Sequence, residues 1–238
     1  MKIDLDTSSP TCSQVDVVAE GIRERLQVVQ GRISELSDGR PVLILCVTKG
    51  FPAYVTEAAY RAGVRAIGEN YVQELSDKFR STRDLEGLRR HFIGHMQSNK
   101  AKSLSTMVDV IETISRTSEL DRLGKVGFEG DLFLQVKFDR DPGRNGAELS
   151  EVPGLKRYGD DLGLKISGLM TVAPVEDPAN RLRVFRMVKD LCDEHALQHC
   201  SMGMSDDFEL AVMAGATEVR LGSALLGHRP NFNPNVTS

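Results

Sequence analysis

The sequence predicts a single-domain parallel (β/α)8 TIM barrel with an extra helix at its N-terminus. Three observations predict it. Apolar, β-branched runs of strand length alternate with stretches of helical period about eight times along 238 residues, the pattern of a parallel sheet built from β–α units. The first of these runs, Val42 to Val47, is apolar throughout, as a strand covered on both faces is. No Pro/Gly/Ser-rich linker divides the chain, so residues 12–230 read as one barrel, with a flexible polar N-terminus over 1–11 and a C-terminal tail over 231–238.

The first element is a helix over 12–36, with Val15, Val18, Ile22, Leu26, Val29, Ile33 and Leu36 on one face. Ser37–Asp38–Gly39 ends it, and it has to pack outside the barrel or cover its bottom. Strand one is the run Val42 to Lys49, between Pro41 and Gly50. Phe51–Pro52 opens a helix with Val55, Ala58, Ala59 and Ala62 on one face, closed at Gly63. Strand two is 64–68, and a helix starts over 69–74. Strand three is 91–94, with a helix after 95–100; strand four is 108–114, with a helix over 116–126; strand five is 131–138. Residues 139–147, with Pro142, Gly143, Arg144, Asn145 and Gly146, form a loop, and a short helix follows over 148–161. Strand six is 165–170, and its helix, over 178–196, carries Val184, Met187, Val188 and Leu191 in register. Strand seven is 199–201 and strand eight 217–221; Phe208, Ala211 and Val212 face inward on the helix between them.

Hydrophobic residues make up 40% and charged residues 27%, an ordinary soluble composition with enough apolar material for a substantial core. The net charge of −4, with basic residues dispersed, gives no footprint for nucleic acid or an anionic membrane. Cys12, Cys46, Cys192 and Cys200 lack CxxC spacing, and Cys46 and Cys200 lie in apolar runs, which suits reduced thiols better than a disulfide framework or a zinc site. Acidic residues stand in the first six positions, where a signal peptide needs basic ones. No apolar run approaches the roughly 20 residues of a membrane span, so a cytoplasmic location is expected.

In a barrel of this kind, chemistry gathers at the C-terminal strand ends. The polar residues there are Lys49, Glu69, Asn70, His95, Thr171, Ser201, Arg220, Gly222 and Ser223. Lys49 either snorkels into solvent or faces a low-dielectric mouth, where its pKa falls and a neutral amine can attack an aldehyde. Arg220, on an otherwise apolar strand, either pairs with a buried acid or meets a ligand. In Ser201–Met202–Gly203–Met204–Ser205–Asp206–Asp207 a strand enters a glycine-containing turn, with Ser205 as N-cap and Asp206 and Asp207 in the first helical turn. Gly222 and Ser223 open the last helix. Phosphate sites of this fold form at the loops after strands seven and eight, so these groups together suit a phosphorylated aldehyde. Neither a P-loop nor a GxGxxG turn is present. His91 and His95 span a strand–loop junction, and no metal site is expected.

Six blocks occur in one order across most of the chain: Val47–Thr48–Lys49; Gly68–Glu69–Asn70–Tyr71–Val72–Gln73–Glu74; His91–Phe92–Ile93–Gly94–His95–Met96–Gln97–Ser98–Asn99–Lys100; Gly168–Leu169–Met170–Thr171; the Ser201–Asp207 turn; and Val219–Arg220–Leu221–Gly222–Ser223. Together they resemble the pyridoxal-phosphate homeostasis proteins, single-domain relatives of the alanine racemase barrel that bind pyridoxal 5′-phosphate. The resemblance implies that Lys49 forms the Schiff base with the cofactor aldehyde and that Ser201, Gly222 and Ser223 hold the phosphate. It also implies that Arg220 faces the pyridine nitrogen and that Asn70 lies beside the ring or Lys49. The chain departs from the family pattern at Gly50, where Lys or Thr is common, and at Lys137, where Asn is.

Arginine has only donors and stays protonated, so it favours an unprotonated pyridine nitrogen and weakens the ring as an electron sink. The related racemases compensate with a tyrosine from a second, β-rich domain, for which a chain ending at Ser238 leaves no room. The implied function is holding the cofactor as a lysine aldimine, for intracellular homeostasis and delivery to apo pyridoxal-phosphate enzymes, with little or no catalysis and as a monomer. Two alternatives stay open: a pyridoxal-phosphate-dependent, racemase-like enzyme on amino acids, and a cofactor-free Schiff-base aldolase on the same barrel.

Overall fold

A computed structural model describes residues 11–138, 145–174 and 177–228. Eight strands, β1 (Leu43–Val47), β2 (Ala66–Glu69), β3 (Arg89–Phe92), β4 (Val110–Ile114), β5 (Asp131–Val136), β6 (Lys165–Thr171), β7 (His199–Met204) and β8 (Glu218–Leu221), pair in sequence order. All pairings are parallel, and β8 closes the barrel on β1 with Leu45 opposite Arg220. The connecting helices are α2 (Ala53–Arg61), α3 (Val72–Thr82), α4 (Ala101–Leu104), α5 (Thr117–Lys125), α6 (Val152–Asp161), α7 (Pro178–Glu194) and α8 (Phe208–Met213). The fold class read from the sequence is the one observed.

The N-terminal helix α1 (Cys12–Leu36) buries the face that its periodicity marks, including Val15, Ile22, Leu26 and Ile33. It packs on α2 and α8 and on the short α9 (Ser223–Leu226) that follows β8. Among the described residues α9 is only one turn long, so α1 fills the place in the outer ring that a full helix after β8 would take. Arg25 Nε seals the contact by donating to the Leu225 carbonyl at 2.5 Å. The Thr11 amide donates to Gln14 Oε1 at 2.8 Å and fixes the helix start.

Strand residues divide between two cores. Cys46, Ile67, Phe92, Ile111, Leu132, Leu169, Cys200, Val219 and Leu221 belong to the large cluster shared with the helices. Val110, Phe133 and Met170 form a separate small cluster, as alternation in a barrel requires. Beside that cluster the interior carries His91, Glu112, Ser201, Glu218 and Arg220, all buried. The cysteines are free thiols, three of them buried, and burial pushes the Cys46 thiol up to about 12.

Several boundaries differ from expectation by two or three residues, and three of them bear on the site. Strand one ends at Val47, so Lys49 stands in the turn beyond it. Strand seven runs to Met204 instead of ending at Ser201. The helix after it starts at Phe208 with Asp207 in the N-cap position, not Ser205. The cause is a closed turn: Asp207 Oδ1 accepts from the Met204 amide at 2.7 Å, and the Asp207 amide donates back to the Met204 carbonyl at 3.0 Å. Gly203 makes the approach possible, with φ +87 and a position where a Cβ would stand 2.5 Å from that of Ala211. Except for Thr11, the terminus expected over 1–11, the loop residues 139–144 and the tail over 231–238 lie outside the described residues.

Candidate functional site

β1 lies between β8 and β2, so Lys49, Asn70 and Gly222 come from three adjacent strand ends. A Cβ on Gly222 would stand 3.6 Å from the Val47 carbonyl oxygen, two residues before Lys49. Lys49, Asn70 and Gly222 are half-buried, Ser223 is exposed, and Arg220 and Ser201 are buried below them in the barrel. Asn70 Oδ1 is buried with no hydrogen-bond partner, an acceptor that a ligand can use.

Arg220 is fixed from two sides. Its Nη1 donates to Ser201 Oγ at 2.8 Å and its Nη2 to the Thr171 carbonyl at 2.6 Å. Ser201 Oγ in turn donates to Glu112 Oε2 at 2.6 Å, and His91 Nδ1 stands 2.6 Å from Glu112 Oε1. With an ionised Glu112, His91 Nδ1 is the donor, and both carboxylate oxygens are used. Burial disfavours the charged form of Glu112, but the His91 hydrogen bond and charge, Arg220 and the Ser201 hydroxyl outweigh it and hold its pKa below the ordinary value. Burial lowers the Arg220 pKa, against the pull of Glu112, Asp207 and Glu218. Glu218 Oε1 stands 2.7 Å from His199 Nδ1, but both buried Glu218 oxygens lack a hydrogen bond, and the His199 ring stacks on Phe133 at 5.2 Å. Of the two readings open for Arg220, the buried acid is present.

The backbone around Lys49 is tied to α3. Lys78, 4% exposed, donates to the Thr48 carbonyl at 2.7 Å and to Glu69 Oε1 at 2.6 Å, with Glu74 Oε2 at 3.6 Å. The Thr48 hydroxyl also donates to Glu69 Oε1. On the other side of Lys49, the Gly50 amide donates to Glu74 Oε2 at 2.8 Å. Burial raises the Glu69 pKa, while Lys78 and the Thr48 hydroxyl oppose the rise.

Lys49, Asn70, Arg220, Gly222 and Ser223 therefore gather at one mouth. Ser201 does not stand with Gly222 and Ser223. It pairs with Glu218 on β8, and its one proton is committed to Glu112 while it accepts from Arg220. Ser205 takes the nearer place: its Oγ accepts from the Ala224 amide at 3.2 Å, leaving its own proton free to donate. His91 and His95 part company, His91 inside the barrel and His95 exposed at its rim. Asn70, His95, Gln135, Lys137 and Val172 line a cleft of about 230 Å³ beside the mouth. Sequence reasoning missed Glu112 and Lys78 and took Ser205 for a helix N-cap; the signal for Glu112 was an acid inside the mostly apolar run 110–114.

The class of protein follows from comparison. The family described as alanine racemase, N-terminal domain, matches residues 22–230. Alanine racemase from Streptomyces coelicolor, 17% identical, superposes with a TM-score of 0.67 over 87% of this chain and 58% of that one, a likeness of fold. The pyridoxal phosphate homeostasis protein of Aquifex aeolicus is 36% identical over 223 residues, 87% of this chain and 97% of its own length. That of Pseudomonas aeruginosa is 34% identical over 87% of this chain and 96% of its length. PipY of Synechococcus elongatus, solved with pyridoxal phosphate bound, is 32% identical with a TM-score of 0.74, covering 87% of this chain and 100% of that one. This chain belongs to the pyridoxal phosphate homeostasis proteins, within the alanine racemase N-terminal-domain family.

Proposed function

We propose that this protein binds pyridoxal 5′-phosphate at the barrel mouth and serves its intracellular homeostasis in the cytoplasm, holding the cofactor for delivery to apo enzymes with little or no turnover. The observation that carries the reading is Arg220, a buried guanidinium held by Ser201 and Thr171 with Glu112 behind it. If it faces the pyridine nitrogen, this cation would keep that nitrogen unprotonated and the ring a poor electron sink. Family membership and the cofactor-bound relative PipY support the ligand.

Lys49 supplies the amine that anchors the cofactor covalently, and the bound cofactor contributes the aldehyde for it. Gly222, Ser223 and Ser205 hold the phosphate, with Ser205 replacing Ser201 because the Ser201 proton is already donated to Glu112. Asn70 flanks the ring or Lys49 and offers its unpartnered Oδ1. Among the described residues the donor set is rich in hydroxyls and cations, which suits a phosphorylated ligand.

An absorption spectrum of the purified protein tests this. A visible band that borohydride abolishes, leaving the cofactor fixed on Lys49, is the expected result. Colourless protein that cannot be reconstituted with pyridoxal phosphate overturns it and favours a cofactor-free aldolase. Rapid proton exchange at Cα of added amino acids overturns the holding role in favour of a racemase-like enzyme.

A further inference from the structure

We infer that Glu74, Lys78 and Glu69 are positioning residues that clamp the backbone on both sides of Lys49 from outside the barrel. The inference rests on the reading of Lys49 as the cofactor's anchor. The hydrogen bonds of this cluster fall on residues 48 and 50, the two neighbours of Lys49. Thr48 is held by its carbonyl, through Lys78 at 2.7 Å, and by its hydroxyl, through Glu69. Gly50 is held by its amide, through Glu74 at 2.8 Å. Lys78 joins the two halves, since its ammonium has Glu69 at 2.6 Å and Glu74 at 3.6 Å.

A buried ammonium with three oxygen acceptors could serve stability alone. The positions it reaches argue for more. Lys49 lies one residue past the Thr48 amide's bond to the Gly68 carbonyl, the last that ties this segment to β2, in a turn closed by the Phe51 amide on the Thr48 carbonyl at 3.1 Å. Glu69 ends β2, and Glu74 and Lys78 lie on successive turns of α3, so the clamp joins the turn to two rigid elements. Preorganised backbone on both sides limits where the Lys49 amine can swing and reduces the ordering cost of holding a ligand. The clamp thus sets how tightly a cofactor anchored at Lys49 is retained.

The test uses Glu74, whose side chain is 21% exposed and so tolerates change. Full-length wild type, Glu74→Ala and Glu74→Gln are loaded with pyridoxal 5′-phosphate, and its loss into an excess of an apo pyridoxal-phosphate enzyme is timed. Circular dichroism establishes that each is folded. Glu74→Ala loses the acceptor for the Gly50 amide and is expected to release the cofactor about tenfold faster, the worth of one charge-assisted hydrogen bond. Glu74→Gln keeps an acceptor oxygen and is expected to stay within about twofold of wild type. Thr48→Val, which removes the hydroxyl to Glu69 at nearly constant shape, is expected to speed release in the same direction and serves if Glu74→Ala does not fold. Unchanged release in the variants, or equal acceleration in Glu74→Ala and Glu74→Gln, overturns the clamp. If borohydride fixes no cofactor on Lys49 in wild type, the anchor reading fails and the clamp's task with it.

Discussion

Glu112 carries the polar interior of the barrel, because its two oxygens bind His91 on one side and Ser201, and through it Arg220, on the other. Its pKa is held below the ordinary carboxylate value, so its stabilising contribution is complete only well above the unfolded value of about 4.3 and is lost as pH falls from there through the depressed value. Glu112→Gln keeps the shape and removes the charge facing Arg220. It is expected to cost about 3 kcal/mol in urea unfolding at neutral pH and to flatten the acid limb of the stability curve; a loss under about 1 kcal/mol would show the pair to be dispensable. The two serines separate by the same logic. Ser205→Ala is expected to weaken pyridoxal phosphate binding about tenfold, one charge-assisted hydrogen bond, with a small loss of stability from the Ala224 amide, while Ser201→Ala, which takes a partner from both Glu112 and Arg220, is expected to lower thermal stability more. Equal effects on binding would return Ser201 to the phosphate. A buried arginine announces an acid or a ligand in sequence, but which acid depends on barrel closure, which brings β4 opposite β8.

Apolar runs alternating with stretches of helical period made the strands legible, β1 most plainly because its run is continuous. Their ends were not legible, since local side-chain bonds set them: Asp207 caps the turn after β7 and moves the start of α8 three residues past Ser205. The amphipathic face of α1 was legible down to its residues, yet a pattern states that a face is buried and not which groove takes it. The groove is the one that the short α9 leaves in the outer ring. At the mouth, Gly94 lets β3 approach β2: a Cβ there would stand 1.8 Å from the Asn70 carbonyl oxygen. Gly94→Ala is therefore expected to push Asn70 aside and destabilise the protein by about 3 kcal/mol or more. Thermal unfolding measures the cost, and an unshifted midpoint would show that the strand end relaxes freely.

The closed barrel couples the site to the whole molecule, since Arg220 lies on β8, Gly222 follows it and Lys49 follows β1, the two strands whose pairing closes it. Cofactor at a hundred times its Kd is expected to stabilise the protein by about 2.7 kcal/mol, and Lys49→Ala to lose most of that gain; scanning calorimetry with and without pyridoxal phosphate measures both. Sedimentation is expected to give a 26.2 kDa monomer, and a dimer would contradict that reading. Among the described residues no helix is long and apolar enough to cross a membrane. The central claim is that Lys49 holds pyridoxal phosphate, and borohydride reduction followed by peptide mapping tests it most directly. The account predicts loss of the visible band with the reduced cofactor found on the peptide containing Lys49. Cofactor on another lysine, or on none after reconstitution, would contradict it.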